Sequence, residues 1–139
     1  MASAAPATVL LIDGFDKDRT YYADRLKASL SNCDVLEARD GQSGLALHAS
    51  RHVDCIVTEL DLTDLSAFEV LLRAVPVVKH QSVAVIMLAR AVIPSIANLA
   101  KRYGAQAVLV KQLTSGDELA TAILTSMAIV ASIRMVESR

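Results

Sequence analysis

The chain has 139 residues, a formal net charge of -1, 53% hydrophobic residues and only 4% aromatic ones. That length fits one domain with a single core, which Val, Leu, Ile and Ala must fill. Lys and Arg are scattered and never interleave with aromatics, so the chain alone offers no basic field for nucleic acid. Cys33 and Cys55 show no motif spacing, Cys55 reads as a buried thiol, and a reducing, cytoplasmic compartment is expected. Residues 1–7 are small and polar, with no signal-peptide pattern. They are expected to form a disordered tail ahead of one domain over residues 8–139. The apolar stretch Leu119–Ile133 is interrupted by Thr121, Thr125, Ser126 and Ser132. It falls short of the ~20 apolar residues of a membrane span, so no membrane association is expected.

In chain order, Thr8–Ile12 is a short apolar strand ending in Asp13-Gly14. Asp16 is a candidate cap for a helix to about Ser31, with Tyr22, Leu26 and Leu30 on one face. Asp34–Ala38 is a second strand, closed by the turn pair Asp40-Gly41. Gln42 to about Arg51 reads as a helix with Leu45 and Leu47 inward. Asp54–Glu59 is the third strand, apolar at Cys55, Ile56 and Val57, as in strands covered on both faces. Ala67–Ala74 is a short helix ended by Pro76. Val83–Leu88 is a fourth strand; Pro94 opens the next helix and Gly104 closes it. Ala107–Val110 is the fifth strand, followed at once by Lys111. Ser115-Gly116-Asp117-Glu118 matches a capping box for a last helix reaching Val136.

Five β-α units with short connections predict an α/β fold: a five-stranded parallel sheet, doubly wound, in the order 2-1-3-4-5. In that order Asp13 and Glu59 end neighbouring strands, and Lys111 ends a strand two places along. Carboxylates at the carboxyl ends of parallel strands make a hard-oxygen site, where Mg²⁺ shared with a phosphate is the usual occupant, and a nearby lysine neutralises phosphoryl charge. The spacing is equally compatible with a solvated ion-pair cluster without chemical consequence.

Four segments carry a resemblance: Leu10-Leu11-Ile12-Asp13; Glu37-Ala38-Arg39-Asp40-Gly41; Val53 to Leu60 around Glu59; and Tyr103-Gly104-Ala105 leading to Val108-Leu109-Val110-Lys111. In this order and spacing, from Thr8 to about Val130, the chain resembles a receiver domain of the two-component response-regulator family, in its chemotaxis-regulator-like, flavodoxin-like form. The resemblance implies a phosphorelay site in which an aspartate ending strand three accepts a phosphoryl group from a histidine kinase. Paired acids after strand one hold Mg²⁺, and a hydroxyl after strand four and a lysine after strand five contact the phosphoryl group.

The sequence departs from that pattern at most points. The paired acids read Asp13 and Gly14, the acceptor position is Glu59, the hydroxyl position is Ala89, and the aromatic switch position is Val108. Leu62-Thr63 replaces the Met-Pro pair, Ala67 the following Gly, and Gln112 the Pro after Lys111. Glutamate displaces its carboxylate by about 1.5 Å relative to aspartate, enough to spoil an in-line attack. One acid fewer weakens Mg²⁺ binding. Asp13, Glu59 and the backbone carbonyl of Asp61 are left as a weak or absent Mg²⁺ site.

The expectation is therefore an atypical, degenerate receiver: no enzyme, no obligatory cofactor, and a protein-interaction module independent of phosphorylation. Glu59 reaches toward Lys111 as a permanent ion pair, or the site is vestigial. The rival expectation is a phosphoacceptor whose Glu59 still forms a weak, Mg²⁺-dependent acyl phosphate. A nucleotide- or flavin-binding module of flavodoxin type finds no phosphate-cradling glycine pattern in Gly14-Phe15-Asp16. Expected partners are a histidine kinase, another signalling protein or a covalently linked domain.

His48 and His52 are spaced as metal ligands on a helix but lack a third ligand and read as surface residues, like His80. Asp61 and Asp64 are expected to face solvent. The last helix carries Leu119, Ile123, Met127, Val130 and Ile133 toward the sheet. Leu124 and Ile129 widen the stripe toward a second contact, such as a homodimer through this helix. The apolar run Val75–Val78 offers another contact.

Overall fold

A computed structural model of the chain describes residues 6–137. Strands β1 (Ala7–Ile12), β2 (Cys33–Ala38), β3 (Cys55–Glu59), β4 (Ala84–Ala89) and β5 (Ala107–Val110) alternate with helices α1 (Asp16–Ser29), α2 (Gly41–Ser50), α3 (Ala67–Ala74), α4 (Pro94–Arg102) and α5 (Gly116–Glu137). Single 3-10 turns occupy Val78–His80 and Lys111–Leu113. All strands are parallel, in the order β2-β1-β3-β4-β5, which is the doubly wound sheet expected. Element ends differ from expectation by one or two residues. β1 already begins at Ala7, and residues 1–5 of the expected tail lie outside the described residues.

The central strands are fully apolar because both faces are covered. Val9, Leu11, Val57 and Ile86 pack with Leu26 of α1 and with Leu119 and Ile123 of α5. Leu10, Ile12, Ile56 and Met87, alternating on the opposite face, pack with Val70 and Leu71 of α3 and Ala100 of α4. Each such Leu or Ile contributes roughly 1.5–3 kcal/mol by leaving water. Tyr22, Leu26 and Leu30 form the inner face of α1 as expected.

One local expectation is extended and two are corrected. In α2 Leu45 and Leu47 do pack against the core, half-buried, but the residues closest to the sheet are Gly41 and Gly44, which the sequence reading did not single out. A Cβ on Gly44 would stand 2.3 Å from Ile12 Cδ1, so only glycine lets the helix lie this close to β1. The residue before α1 is Phe15, not Asp16, and it makes no side-chain cap. Asp13 instead accepts a hydrogen bond from the Phe15 N–H at 2.9 Å. α5 opens on the expected capping box, Glu118 N–H to Ser115 Oγ at 3.1 Å and Ser115 N–H to Glu118 Oε1 at 3.0 Å. Yet Gly116–Val136, with mean hydropathy 1.8, is by length and composition sufficient to cross a membrane, contrary to the sequence expectation. Its hydroxyl residues lower hydropathy far less than charges would, and only 28% of an 18-residue stretch within it is buried.

Candidate functional site

Register brings the strand tips together. Ile12 pairs with Thr58, so Asp13 and Glu59 emerge side by side. Glu59 pairs with Leu88 and Ala89 with Val110, which sets Lys111 just beyond the same edge. Asp13 and Glu59 are almost completely buried, and the Lys111 side chain is 7% exposed. The amine lies 2.8 Å from Asp13 Oδ2 and in direct contact with Glu59 Oε2. It also donates to Asp18 Oδ2 at 2.9 Å. Three carboxylates thus surround one ammonium. Asp13 Oδ1 is taken by the Phe15 N–H. Neither Glu59 oxygen reaches solvent, and Oε1 finds no hydrogen-bond donor among the described residues.

These groups shift one another. Burial works against the Lys111 cation, but Asp13, Glu59 and Asp18 overcome it and its pKa rises to about 12. For Glu59 burial prevails over the Lys111 contact, and its carboxyl is held above the ordinary range. The backbone behind the amine is fixed as well. Tyr22 OH donates to the carbonyls of Lys111 (3.2 Å) and Thr114 (2.9 Å), tying the end of β5 to α1. Phe15 closes the outside: its ring centroid is 4.9 Å from Lys111 Nζ and 3.9 Å from the Arg90 guanidinium carbon. Arg19 holds the β1–α1 loop through the Asp13 carbonyl (2.8 Å), Asp16 and Glu37.

No protein-family model and no curated protein matches the sequence. Solved structures do match in shape. A signal receiver domain from Vibrio parahaemolyticus superposes with a TM-score of 0.82 at 19% identity, covering 95% of this chain and 98% of that one. A response regulator receiver domain from Clostridium thermocellum gives 0.77 at 22% identity, covering 94% and 98%. A CheY-like receiver domain from Methanospirillum hungatei gives 0.79 at 16%, covering 91% and 98%. The fold is that of a receiver domain.

Within this receiver fold the remaining singled-out positions lie around the cluster without entering it. Gly14 is exposed, and a Cβ there would meet the Arg39 carbonyl at 3.3 Å. Ala89 is buried at the end of β4, and Val108 packs half-buried on the α3–α4 side. Asp61 is exposed. Asp64 is exposed as expected, and its carboxylate also accepts the N–H groups of Gly41 and Gln42 at 2.8 Å each, capping α2 from the β3–α3 loop. Among the described residues, no group of three or more His, Cys, Asp or Glu is arranged to hold a metal ion.

The two histidines do not share the helix. His48 is half-buried, with burial first and His52 second lowering its pKa. His52 lies beyond the end of α2 and pairs with Asp54 at 2.8 Å. Cys55 is fully buried, and burial pushes its thiol pKa up. Asp18, Phe15 and Arg90 are the site residues that the sequence reading missed. Asp16 and Asp18, directly after an Asp-ended strand, were the available signal for a further acid at the tip.

A cleft of about 590 Å³ opens beside the cluster, between α1 and the β5–α5 connection. Asp18, Tyr21, Arg90 and Lys111 line it, and neither Asp13 nor Glu59 does. Of the three strand-tip residues, Lys111 is the one that faces this cleft.

Proposed function

We propose that this chain is a receiver-type module of two-component signal transduction that acts through protein contacts in the cytoplasm without accepting a phosphoryl group. The observation that carries this reading is the closed Glu59 carboxylate: both oxygens are withdrawn from water and one is engaged by Lys111. An in-line attack on a phosphodonor needs an exposed, correctly aimed oxygen, and misplacement by an ångström is already costly. Here the nucleophile must first break its buried contact with Lys111.

The donor set also does not suit Mg²⁺. That ion asks for carboxylate oxygens with room for several waters. Asp13 is spent on Phe15 N–H and Lys111, Glu59 is closed, and Gly14 brings no second acid. Lys111 holds permanently, through Glu59, the kind of charge pairing that a phosphorylated receiver makes transiently. Ala89 supplies no hydroxyl and Val108 no ring to report a change at the tip. A constitutive surface, read by a kinase, another signalling protein or a linked domain, is the function left.

The test is incubation of the chain with acetyl phosphate and Mg²⁺, followed by intact-mass measurement. The unmodified mass is expected at every time point. A stoichiometric phosphoryl adduct on Glu59 would establish the rival reading, a slow acyl-phosphate acceptor.

A further inference from the structure

We propose that the outer face of α5 binds the same face of a second copy of this chain, antiparallel, about a two-fold axis passing near Ala128. This inference does not rest on the reading of the Glu59 pocket.

The helix has two faces. Leu119, Ile123, Ser126 and Val130 are buried toward the sheet. Directly opposite, at successive helical turns, Thr121, Leu124, Ala128, Ala131, Ser132 and Met135 are exposed. Leu124 is 53% and Met135 68% exposed. No charged residue occurs from Leu119 to Ile133, so the outer face carries only Thr and Ser where a solvated helix carries charges. A helix with so little polarity is ordinarily covered on more than one side.

The residue sizes favour another copy of the same stripe. A two-fold contact must be self-complementary, each residue meeting the partner of its own partner. With antiparallel helices crossing at Ala128, Leu124 falls opposite the small Ser132 and Ala131, Met135 opposite Thr121, and Ala128 opposite itself. Bulk meets gap in both directions, and a small residue sits where the backbones come closest. The helix dipole sets the same polarity: antiparallel pairing opposes the two macrodipoles, whereas parallel pairing aligns them. Asp117 stays with its own chain, its carboxylate held by Arg25 and Ser29. A lipid surface fits less well: an interfacial helix uses flanking Lys or Arg and continuous bulk, not Thr, Ala and Ser at the centre of its apolar face. A contact of this length buries on the order of 1,000 Å² in total, at the low end of specific interfaces, so association is expected in the micromolar range.

The experiment is sedimentation velocity on the full chain, with disulfide trapping in a Cys33→Ser background that leaves only the buried Cys55. At about 100 μM the unsubstituted chain is expected to sediment as a dimer, and Leu124→Glu to dissociate at least tenfold more readily. Leu124 is exposed, so circular dichroism of that variant should be unchanged. Under mild oxidation Ala128→Cys is expected to trap a covalent dimer. Thr121→Cys and Met135→Cys should each remain monomeric alone and cross-link when mixed. A monomer at this concentration would overturn the proposal. So would self-cross-linking of Thr121→Cys as efficient as that of Ala128→Cys, which indicates parallel helices, or capture of the monomer by phosphatidylcholine vesicles.

Discussion

The tip of β5 and the outer face of α5 lie ten residues apart in the chain and handle water in opposite ways. At the tip, Lys111 and two carboxylates are withdrawn from solvent and satisfied mostly by one another. On α5, Leu124 and Met135 remain in solvent with nothing described against them. Charge has been buried where a receiver ordinarily exposes a reactive site, and apolar surface is exposed where a helix is ordinarily polar. The first region closes its charges on one another; the second leaves apolar side chains uncovered among the described residues. Substitutions in the two regions should therefore fail in different ways.

The largest effect is expected at the tip. Lys111→Met leaves Asp13 and Glu59 buried without their cation and should cost about 3–5 kcal/mol in urea unfolding. That stabilisation has a pH signature. The folded pKa of Lys111, about 12, lies above its ordinary 10.5, so the contribution is complete below 10.5 and is lost as pH rises through about 12. The stability gap between the unsubstituted chain and Lys111→Met should close across that window, as followed by urea titrations at successive pH values.

Glu59→Gln should act more gently, through pH rather than a fixed loss. The folded pKa of Glu59 is raised, so its proton stabilises the fold below the ordinary value of 4.5, and that contribution disappears as pH rises through the higher folded value. The unsubstituted chain should therefore lose stability relative to Glu59→Gln on going from acid toward neutral pH. An unchanged difference across that range would mean that Glu59 feels no burial. The smallest effect belongs to α5: Leu124→Glu should alter the unfolding free energy of the monomer by no more than about 0.5 kcal/mol. A large loss there would show that the outer face already packs within one chain.

Much of the tip was legible because its residues directly follow recognisable strands. Asp13 follows Leu10-Leu11-Ile12, Glu59 ends the Cys55–Val57 run, and Lys111 follows Val110, so strand order alone made them neighbours. What escaped depends on how helices lie over that edge. Asp18 reaches Lys111 only because the start of α1 meets the β5–α5 connection, 93 residues away in sequence. Phe15 and Arg90 meet across two loops with no shared periodicity. Gly44 reads as a helix weakener until Ile12 is placed against it, and Asp64 as a loop acid until its reach to α2 is seen. On α5 the sheet-facing stripe and its widening at Leu124 and Ile129 were visible as apolar spacing, but burial was needed to show that Thr121, Ala128 and Met135 share the outer face with Leu124.

The central claim is that Lys111 is locked among carboxylates inside a closed tip. Its ammonium hydrogens, observed by ¹H–¹⁵N NMR with selectively labelled lysine, measure this directly. A Lys111 signal exchanging far more slowly with water than those of the exposed lysines, and accelerating in Glu59→Gln, is the predicted result. A Lys111 signal that exchanges as fast as the surface lysines would contradict it.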